Sequence, residues 1–555
     1  MRELRWKGVH APEDGDWIVA EIPWHGAAHL VEVLGADDRA EWDDATVASQ
    51  YRLRVTFPDA ALNEAAGLHE PAARDLKSRE DHRDDDVVTI DPGDARDHDD
   101  ALGVRDLGGG RHEVGVHIAD VSWYVRPGGA LDQEARARGT SCYLPGGAVP
   151  MLPERLSSDL CSLRAGVDRL ALSVFATLDE NGRLHGYRFA ATVIRSRADL
   201  SYEQVQDALD GAKPLGAALQ RPVELLMRLA RALRARRLAV GALQLDSPEV
   251  KAVVDEHGET LRLERRPHLE SHELVEEFML LANRCVGEAA ALRGSGVLWR
   301  VHEPPPGRKL ADLDEMLRVL GLPRPPRHEG DPHRVLQALL EVPLDPPKRR
   351  LLHRLVLRSM ARARYLERDL GHFGLATREY LHFTSPIRRY PDLHNHRRVR
   401  EWIARVRDEA WDPHETAALA TECSGREQDA TEAEREGTKV KGVRLLAGRL
   451  GERLSGTISG LVPRGCFVEL DDPPVDGFMA VGDQLDDRFE LDAAGVRLTG
   501  QRTRRRFTLG DAVQVTVARV DVPARECDLA LEDDSRRGRH GMPGARRKAR
   551  RQGWL

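Results

Sequence analysis

The stretch Val87-Val88-Thr89-Ile90-Asp91-Pro92-Gly93-Asp94-Ala95-Arg96-Asp97-His98-Asp99-Asp100 decides how this chain of 555 residues is organised. Its β-branched beginning predicts a buried strand, and Pro92-Gly93 ends that strand in a turn. Residues 91–100 contain five carboxylates, one before this turn and four after it. Their mutual repulsion would push at least one of them toward protonation, and a divalent cation would remove the conflict. Because Mg²⁺ prefers hard carboxylate oxygens, the stretch predicts a magnesium site at the end of a strand, with a solvated acidic loop as the alternative.

The composition is that of an ordinary multidomain protein, with 41% hydrophobic and 31% charged residues. A length of 555 residues predicts three or four domains. The net charge of −8 argues only weakly against a nucleic-acid partner, because acid concentrates at 80–100 while Arg and Lys concentrate at 502–506 and 536–551. The six cysteines are scattered without a Cys-x-x-Cys pair, which argues against a zinc ribbon and a disulfide scaffold. No membrane-spanning run or signal peptide is recognisable, so we expect a cytoplasmic protein without a membrane partner.

Changes in composition along the chain predict four parts. Residues 1–83 form a small β-rich module with a charged linker over 70–86, and residues 84–446 form a large central domain. Residues 447–533 contain short strands with Gly turns, with the spacing of an OB barrel built from strands near 455, 466, 477, 507, 513 and 528. Residues 534–555 form a basic tail that we expect to be disordered. The fold class is therefore α+β, with a central mixed α/β domain flanked by small β-barrel modules.

Four further segments of the large domain combine aromatic, arginine or glutamate residues with a distinctive local pattern. Tyr143 lies in a Gly/Pro-rich loop, where a base face is a plausible partner and packing on a neighbouring loop is the alternative. Pro386 and Pro391 bracket a segment with two arginines, whose planar forks of donors match a phosphate. The run 426–436 continues a helix, which on its own is typical of a solvated helix face. The helix predicted over 270–283 combines an apolar face with glutamates that face either an RNA channel or solvent.

Four motifs, in their order along the chain, resemble those of the ribonuclease II/R (RNB) family of exoribonucleases. They are the acidic stretch, the Tyr143 loop, the Pro-bracketed arginine segment and the run 426–436. The resemblance covers about 87 to 531, and it implies that Asp91, Asp97, Asp99 and Asp100 hold one or two Mg²⁺ ions. It further implies that Tyr143 stacks on bases near the RNA 3′ end and that Arg388 stabilises charge at the scissile phosphate, with Arg389, Thr384 and Ser385 as secondary candidates. Asp99, Arg388 and Glu434 are the expected catalytic residues. His98 departs from the larger apolar residue that is usual between the last acids.

The flanking parts resemble the RNA-binding modules of the same family. Residues 1–83 are similar to the end of a cold-shock-type OB domain, although they are too short for the two such domains that are usual. Residues 447–533 resemble an S1-type domain, in which Phe467, Phe478 and Phe489 are the expected stacking residues, together with arginine planes. The tail would add sequence-independent attraction for phosphate, and a solubility role is the alternative.

The resemblance implies a processive, hydrolytic 3′→5′ exoribonuclease of the ribonuclease II type, acting on single-stranded RNA as a monomer and releasing nucleoside 5′-monophosphates. Two alternatives remain open. One is an RNA-binding regulator with a retired RNB domain, which loss of an acid would mark, and all four acids are present. The other is a Mg²⁺-dependent nuclease that also acts on DNA, because contacts to the 2′-hydroxyl cannot be inferred from composition.

Overall fold

A computed structural model of the full chain describes residues 4–5, 12–21, 28–245, 249–294, 296–324, 331–405 and 412–532. The basic tail over 534–555 therefore lies outside the described residues. By its internal contacts the chain divides into two compact units, one of residues 1–445 with 522–525, and one of residues 446–521 with 526–555.

The described residues of the amino-terminal segment form three strands and three short helices. Two of the strands pair antiparallel, from Asp16 opposite Ala36 to Glu21 opposite His29. Its elements are β1 (Leu4–Arg5), β2 (Asp16–Glu21), β3 (Ala28–Ala36), α1 (Asp43–Gln50), α2 (Asp59–Ala66) and α3 (Ala73–Lys77). The three strands form one small sheet in the order β1-β3-β2.

The central region combines one large sheet with long helices. Its strands are β4 (Glu80–His82), β5 (Val87–Asp91), β6 (Asp100–Gly108), β7 (Arg111–Ala119), β8 (Cys142–Leu144), β9 (Gly147–Val149), β10 (Asp168–Asp179), β11 (Leu184–Arg195), β12 (Ala198–Ser201), β13 (Val250–Val254), β14 (Thr260–Arg265), β15 (Trp299–Val301) and β16 (Arg364–Leu366). Its helices are α4 (Val121–Tyr124), α5 (Ala130–Arg138), α6 (Tyr202–Leu209), α7 (Ala217–Ala239), α8 (Glu270–Arg293), α9 (Gly307–Leu320), α10 (Pro332–Leu340), α11 (Pro346–Ser359), α12 (Tyr390–Ile403) and α13 (Pro413–Ala447).

The seven-stranded sheet runs in the order β12-β5-β6-β7-β10-β11-β4. Successive residues of its strands point to opposite faces, and each face has its own core. Val88 and Leu102 pack in the core that includes α7 and α8. Val87 and Ala101 pack in the second core, together with residues of α2, α5, α12 and α13. Burial on both faces explains why the strand before the acidic loop is a continuous apolar run.

The composition of 70–86 predicts a linker, but part of this region belongs to the large sheet. Strand β4 pairs parallel with β11, from Glu80 opposite Thr192 to His82 opposite Ile194, and so closes one edge of the large sheet. Arg83 explains part of the charge in this region, because its guanidinium reaches Asp168 at 3.1 Å and holds the segment against β10.

A buried ion cluster joins α1 to the last turns of α13. Lys441 is only 1% exposed, and its ammonium donates to Asp43 Oδ2 and to the carbonyl oxygens of Ala40 and Gly258, each at 2.8 Å. Arg444 donates to both carboxylate oxygens of Asp43. A buried charge is tolerated when its hydrogen bonds are satisfied, and this cluster satisfies all three donors of the ammonium.

The carboxy-terminal unit is built on a closed barrel in the order β17-β18-β19-β24-β23. Its elements are β17 (Arg453–Val462), β18 (Gly465–Leu470), β19 (Asp476–Met479), α14 (Val481–Leu485), β20 (Phe489–Leu491), β21 (Arg497–Gly500), β22 (Arg506–Thr508), β23 (Ala512–Asp521) and β24 (Glu526–Leu531). The OB-type barrel expected from the Gly turns is present. The prediction that a strand near Phe507 belongs to this barrel is wrong. That strand, β22, forms a separate three-stranded sheet with β20 and β21.

Candidate active site

The acidic loop connects two neighbouring strands of the large sheet. Asp91 is the last residue of β5 and Asp100 is the first residue of β6, so Asp97 and Asp99 lie in the turn between them. Ser162 holds this turn in place: the backbone N–H of His98 donates to Ser162 Oγ at 3.1 Å, and that hydroxyl donates to the carbonyl oxygen of Arg96 at 2.7 Å. The four predicted acids therefore lie on a fixed turn or on the strand residues that flank it.

Asp99 is the most buried of these acids, with 4% exposure. Its Oδ1 accepts a hydrogen bond from the backbone N–H of Ile387 at 2.8 Å. Its Oδ2 is buried without a hydrogen-bond partner and lies 3.5 Å from Arg388 Nε. Burial raises the pKa of Asp99 well above its usual range, although Arg388 lowers it. A buried carboxylate oxygen that lacks a partner is an expensive feature, and a bound cation would compensate for it.

Asp91 and Asp100 show the electrostatic conflict that the sequence predicted. Burial and the neighbouring Asp91 carboxylate raise the pKa of Asp100 to about 8. Asp91 itself accepts a hydrogen bond from His98, whose Nδ1 lies 2.7 Å from Oδ2. Burial alone would lower the pKa of His98, but the hydrogen bond and charge of Asp91 raise it. His98 therefore supplies Asp91 with a hydrogen-bond partner that also fixes the direction of its carboxylate.

Tyr143 lies beside the acidic loop, as predicted. It is 44% exposed on strand β8, and its hydroxyl donates to Asp97 Oδ2 at 3.2 Å. Its backbone N–H donates to Glu434 Oε1 at 2.8 Å, so the helix α13 holds the tyrosine from behind. Burial raises the pKa of Glu434, and the hydrogen bond from Tyr143 opposes that effect. The carboxylate of Glu434 thus contacts the backbone of Tyr143, and not its ring.

The two arginines of the Pro-bracketed segment point to different environments. Arg388 is 46% exposed, and its guanidinium lies between Asp99 and Ser385 Oγ, which accepts from Nη2 at 3.2 Å. Arg389 instead donates to the fully buried Asp392 at 2.8 Å. Arg389 therefore has a protein partner, and its contact with RNA stays a prediction. Thr384 and Ser385 are both buried at 3% exposure, which indicates a supporting position.

The structure also connects the arginine segment to the Tyr143 loop. The carbonyl oxygen of Arg388 accepts from Thr140 Oγ1 at 3.0 Å and from the backbone N–H of Ser141 at 2.9 Å. On the other side, Asn283 of α8 donates to the hydroxyl of Tyr380 at 3.1 Å and accepts from the N–H of Phe383 at 2.8 Å. Through Asn283, helix α8 therefore holds this segment in place.

Sequence reasoning missed Tyr202. Strand β12 pairs parallel with β5 and places Ser201 opposite Asp91, so Tyr202 follows at the same sheet edge as the acids. The burial of its hydroxyl and the charges of Asp100 and Asp91 raise the pKa of Tyr202, and its ring stacks on His272 with centroids 3.9 Å apart. Tyr202, His272 and Pro92 line a cavity of about 1150 Å³ that also has arginine residues in its wall. A signal for Tyr202 existed only in the strand pairing.

The donor set fits a divalent cation, although no cluster of three His, Cys, Asp or Glu side chains in the described ranges is already arranged as metal ligands. Asp91 is turned to His98 and Asp97 accepts from Tyr143, and these contacts hold the carboxylates apart. The unpartnered oxygen of Asp99 and the raised pKa of Asp100 are both effects that a positive charge would reverse.

The predicted stacking residues of the barrel unit lie on its surface and in its small sheet. Phe467 is 42% exposed on β18, and its ring centroid lies 5.2 Å from that of Phe478. Phe489 is partly buried, with its centroid 5.7 Å from that of Phe507. Phe467 is therefore more accessible than Phe489.

Comparisons with known proteins agree with this arrangement. The family model of the RNB domain matches residues 79–405. Ribonuclease R of Aquifex aeolicus is 37% identical over 510 residues, which are 90% of this chain and 72% of that protein. Ribonuclease R of Escherichia coli is 36% identical over 536 residues, which are 94% of this chain and 66% of that protein. The structure of Mycoplasma genitalium RNase R in complex with ribose-methylated single-stranded RNA superposes with a TM-score of 0.90 at 26% identity, over 96% of this chain and 85% of that one.

The chain belongs to the RNB-domain family. Within that family, the relatives from A. aeolicus, E. coli and M. genitalium are ribonuclease R proteins.

Proposed function

We propose that this protein is a processive, hydrolytic 3′→5′ exoribonuclease that degrades single-stranded RNA to nucleoside 5′-monophosphates and requires Mg²⁺. The observation that carries the proposal is the environment of Asp99: a buried carboxylate oxygen without a hydrogen-bond partner, 3.5 Å from an exposed arginine. A site of this kind suits a cation on one side and a phosphate on the other.

Each part of this chemistry has a candidate side chain. Asp91, Asp97, Asp99 and Asp100 would hold one or two Mg²⁺ ions, which would supply Lewis acidity and lower the pKa of water. Arg388 presents a guanidinium that is half exposed and can stabilise charge on the phosphoryl oxygens. Glu434 supports Tyr143 and reaches the reaction through it, so we assign it a positioning role. Arg389 supports the segment that contains Arg388, through its hydrogen bond to Asp392.

Tyr143 would hold the RNA 3′ end in register. Its ring is exposed beside Asp97, and base stacking on an aromatic ring is worth about 1–3 kcal/mol. Fixing the terminal bases places the last phosphodiester against the acids and converts binding energy into orientation. Phe467 and Phe489 of the barrel unit, together with the basic tail, are proposed to add contacts along the strand.

The remaining features follow from the same proposal. We infer that the protein acts as a monomer in the cytoplasm, with the domain limits 1–83, 84–446, 447–533 and 534–555. Among the described residues, no helix has the length and apolar character needed to cross a membrane. The relative from M. genitalium was solved with ribose-methylated single-stranded RNA, which favours RNA over DNA as the substrate here.

The decisive experiment compares 5′-labelled single-stranded RNA and DNA of the same sequence, each with Mg²⁺ or EDTA. With RNA and Mg²⁺ together, we expect the full-length 5′-labelled strand to convert into a short end fragment with few intermediates, and nucleoside 5′-monophosphates to be released. Binding without degradation would instead support an RNA-binding regulator, and equal rates on both polymers would support a nuclease without sugar preference.

A further inference from the structure

The hairpin formed by β8 and β9 is the part of the site that carries Tyr143, and its inner face packs on the amino-terminal segment. Strand alternation points Tyr143 outward while Cys142 and Leu144, its neighbours, are buried at 2% and 8% exposure. The two inward residues share one apolar cluster with residues of α1 and α13, namely Val47, Ala48, Ala430, Ala433 and Val440. Helix α1 therefore forms half of the surface on which the Tyr143 hairpin rests.

Two carboxylates hold the backbone of this hairpin. Glu434 accepts from the N–H of Tyr143, and Asp44 of α1 accepts from the N–H of Gly146 at 2.6 Å. The approach of Asp44 is so close that a Cβ at Gly146 would lie 2.7 Å from Asp44 Oδ2. On the other side, a Cβ at Gly437 would lie 2.8 Å from the Cδ of Pro145. The hairpin is thus clamped between α1 and α13, with glycine at each point of closest approach.

The position of Asp44 is itself fixed by its neighbour. Asp43 is 4% exposed and accepts from both Lys441 and Arg444 of α13, so the first turn of α1 cannot shift independently of that helix. Asp44 Oδ1 is buried and has no hydrogen-bond partner, which leaves the bond from Gly146 as the main polar contact of this carboxylate. A carboxylate in such surroundings is costly unless its hydrogen bond matters to the fold or the site.

We propose that Asp44 is a positioning residue for the RNA 3′ end: by fixing the Tyr143 hairpin from the amino-terminal side, it sets the shortest RNA that the protein can hold. The proposal rests on the proposed function of Tyr143 in base stacking. It assigns the amino-terminal segment a role inside the exonuclease centre, in addition to any RNA contact of its own. Asp44 acts through the hairpin and touches no reacting group.

The test measures KM and kcat on a short oligonucleotide and on long single-stranded RNA, together with the length of the final fragment. Asp44→Ala should raise KM for the short substrate about tenfold, the factor expected for one lost hydrogen bond to a carboxylate, and should lengthen the final fragment. Its kcat on saturating long RNA should stay within about twofold, because long RNA keeps its other contacts. Asp44→Asn keeps an oxygen acceptor and should behave like the unmodified protein. Asp38→Ala removes an exposed carboxylate from the same segment and serves as the matched control.

Two further variants separate positioning from a general loss of structure. Gly146→Ala should reproduce the phenotype of Asp44→Ala, because the added methyl displaces Asp44, yet it should add little when Asp44 is already alanine. Asp44→Ala combined with Tyr143→Ala should be no worse than Tyr143→Ala alone. If Asp44→Ala does not fold, Gly146→Ala alone carries the test.

Three results would overturn the proposal. A normal final fragment and normal KM in both Asp44→Ala and Gly146→Ala would show that the hairpin does not need this contact. Equal damage on short and long RNA, or full additivity with Tyr143→Ala, would show a purely structural effect. If Tyr143→Ala itself left the final fragment unchanged, the proposed stacking function would fall together with this inference, whereas an effect of Tyr143→Ala without one of Asp44→Ala would overturn this inference alone.

Discussion

Asp99→Asn should abolish RNA degradation and at the same time make the protein more stable in EDTA. The amide is nearly isosteric, and its oxygen can still accept from the N–H of Ile387. What disappears is the negative charge on a buried oxygen that has no hydrogen-bond partner. Because folding raises the pKa of Asp99, its charged form is disfavoured in the folded state at neutral pH, and neutralising it relieves that penalty.

The size of both effects follows from the site. An unsatisfied buried polar group costs about 1–3 kcal/mol, and the exposed partner Arg388 offsets less than about 1 kcal/mol of that. A net gain of about 1–2 kcal/mol would raise Tm by roughly 2–6 °C. The same substitution removes a ligand charge beside Arg388, so we expect kcat to fall by at least about 100-fold while RNA binding persists.

The assay combines thermal unfolding in EDTA at pH 8 with single-turnover degradation of labelled RNA. Asp94→Asn is the matched control, because Asp94 lies in the same loop but is 73% exposed, and its carboxylate lies 3.4 Å from Lys251 Nζ. That variant should leave both Tm and kcat close to their normal values. Retention of kcat in Asp99→Asn would refute the metal assignment, and a fall in Tm would show that the carboxylate stabilises the fold and is not held there for function.

Three more predictions concern the metal-side histidine, the pH dependence and the barrel unit. His98→Phe should weaken Mg²⁺ binding about 10- to 100-fold in calorimetry, because Asp91 loses the donor that orients it, while His98→Asn should retain most of the affinity. Since the pKa of Asp100 rises from 3.8 in the unfolded chain to about 8 in the folded one, the free energy of unfolding in EDTA should fall as pH increases between these values, and Asp100→Asn should flatten that slope in urea titrations. Deleting 447–555 should reduce the dependence of RNA affinity on salt. The slope of log affinity against log salt should fall by roughly 0.7 for each phosphate that the barrel and tail no longer neutralise, measured by salt titration in an Asp99→Asn background. Equal slopes would exclude that part of the chain from RNA binding.

The sequence predicted the strand and the acidic turn well because both are local. The apolar run 87–90 is buried as expected, and Pro92-Gly93 ends the strand before the acids. The family resemblance then brought together Tyr143, Arg388 and Glu434, and all three lie around the same turn, linked through Asp97, Asp99 and the backbone of Tyr143.

The errors and omissions have a common cause in long-range pairing. The charged residues 80–82 have no strand-like composition, and they are in the sheet only because β11 offers a free edge. Tyr202 reaches the site through the parallel pairing of β12 with β5, which no local pattern encodes. Arg388 and Arg389 are adjacent arginines between the same two prolines, so the local sequence does not distinguish them. Only the structure shows that the side chain of Arg389 donates to Asp392, on the first turn of α12.

The ion cluster of Asp43, Lys441 and Arg444 also couples the local unfolding of α1 to that of the last turns of α13. Two cations near the end of a 35-residue helix take their partners from residues about 400 positions earlier, so neither side can detach without leaving charges unmatched. The amides of α1 and of the last turns of α13 should therefore exchange with solvent as one cooperative group, although they are far apart in the sequence. A form of the protein shortened to the start of the RNB match at residue 79 would lose that group, and with it the rigidity of the helix that holds Glu434.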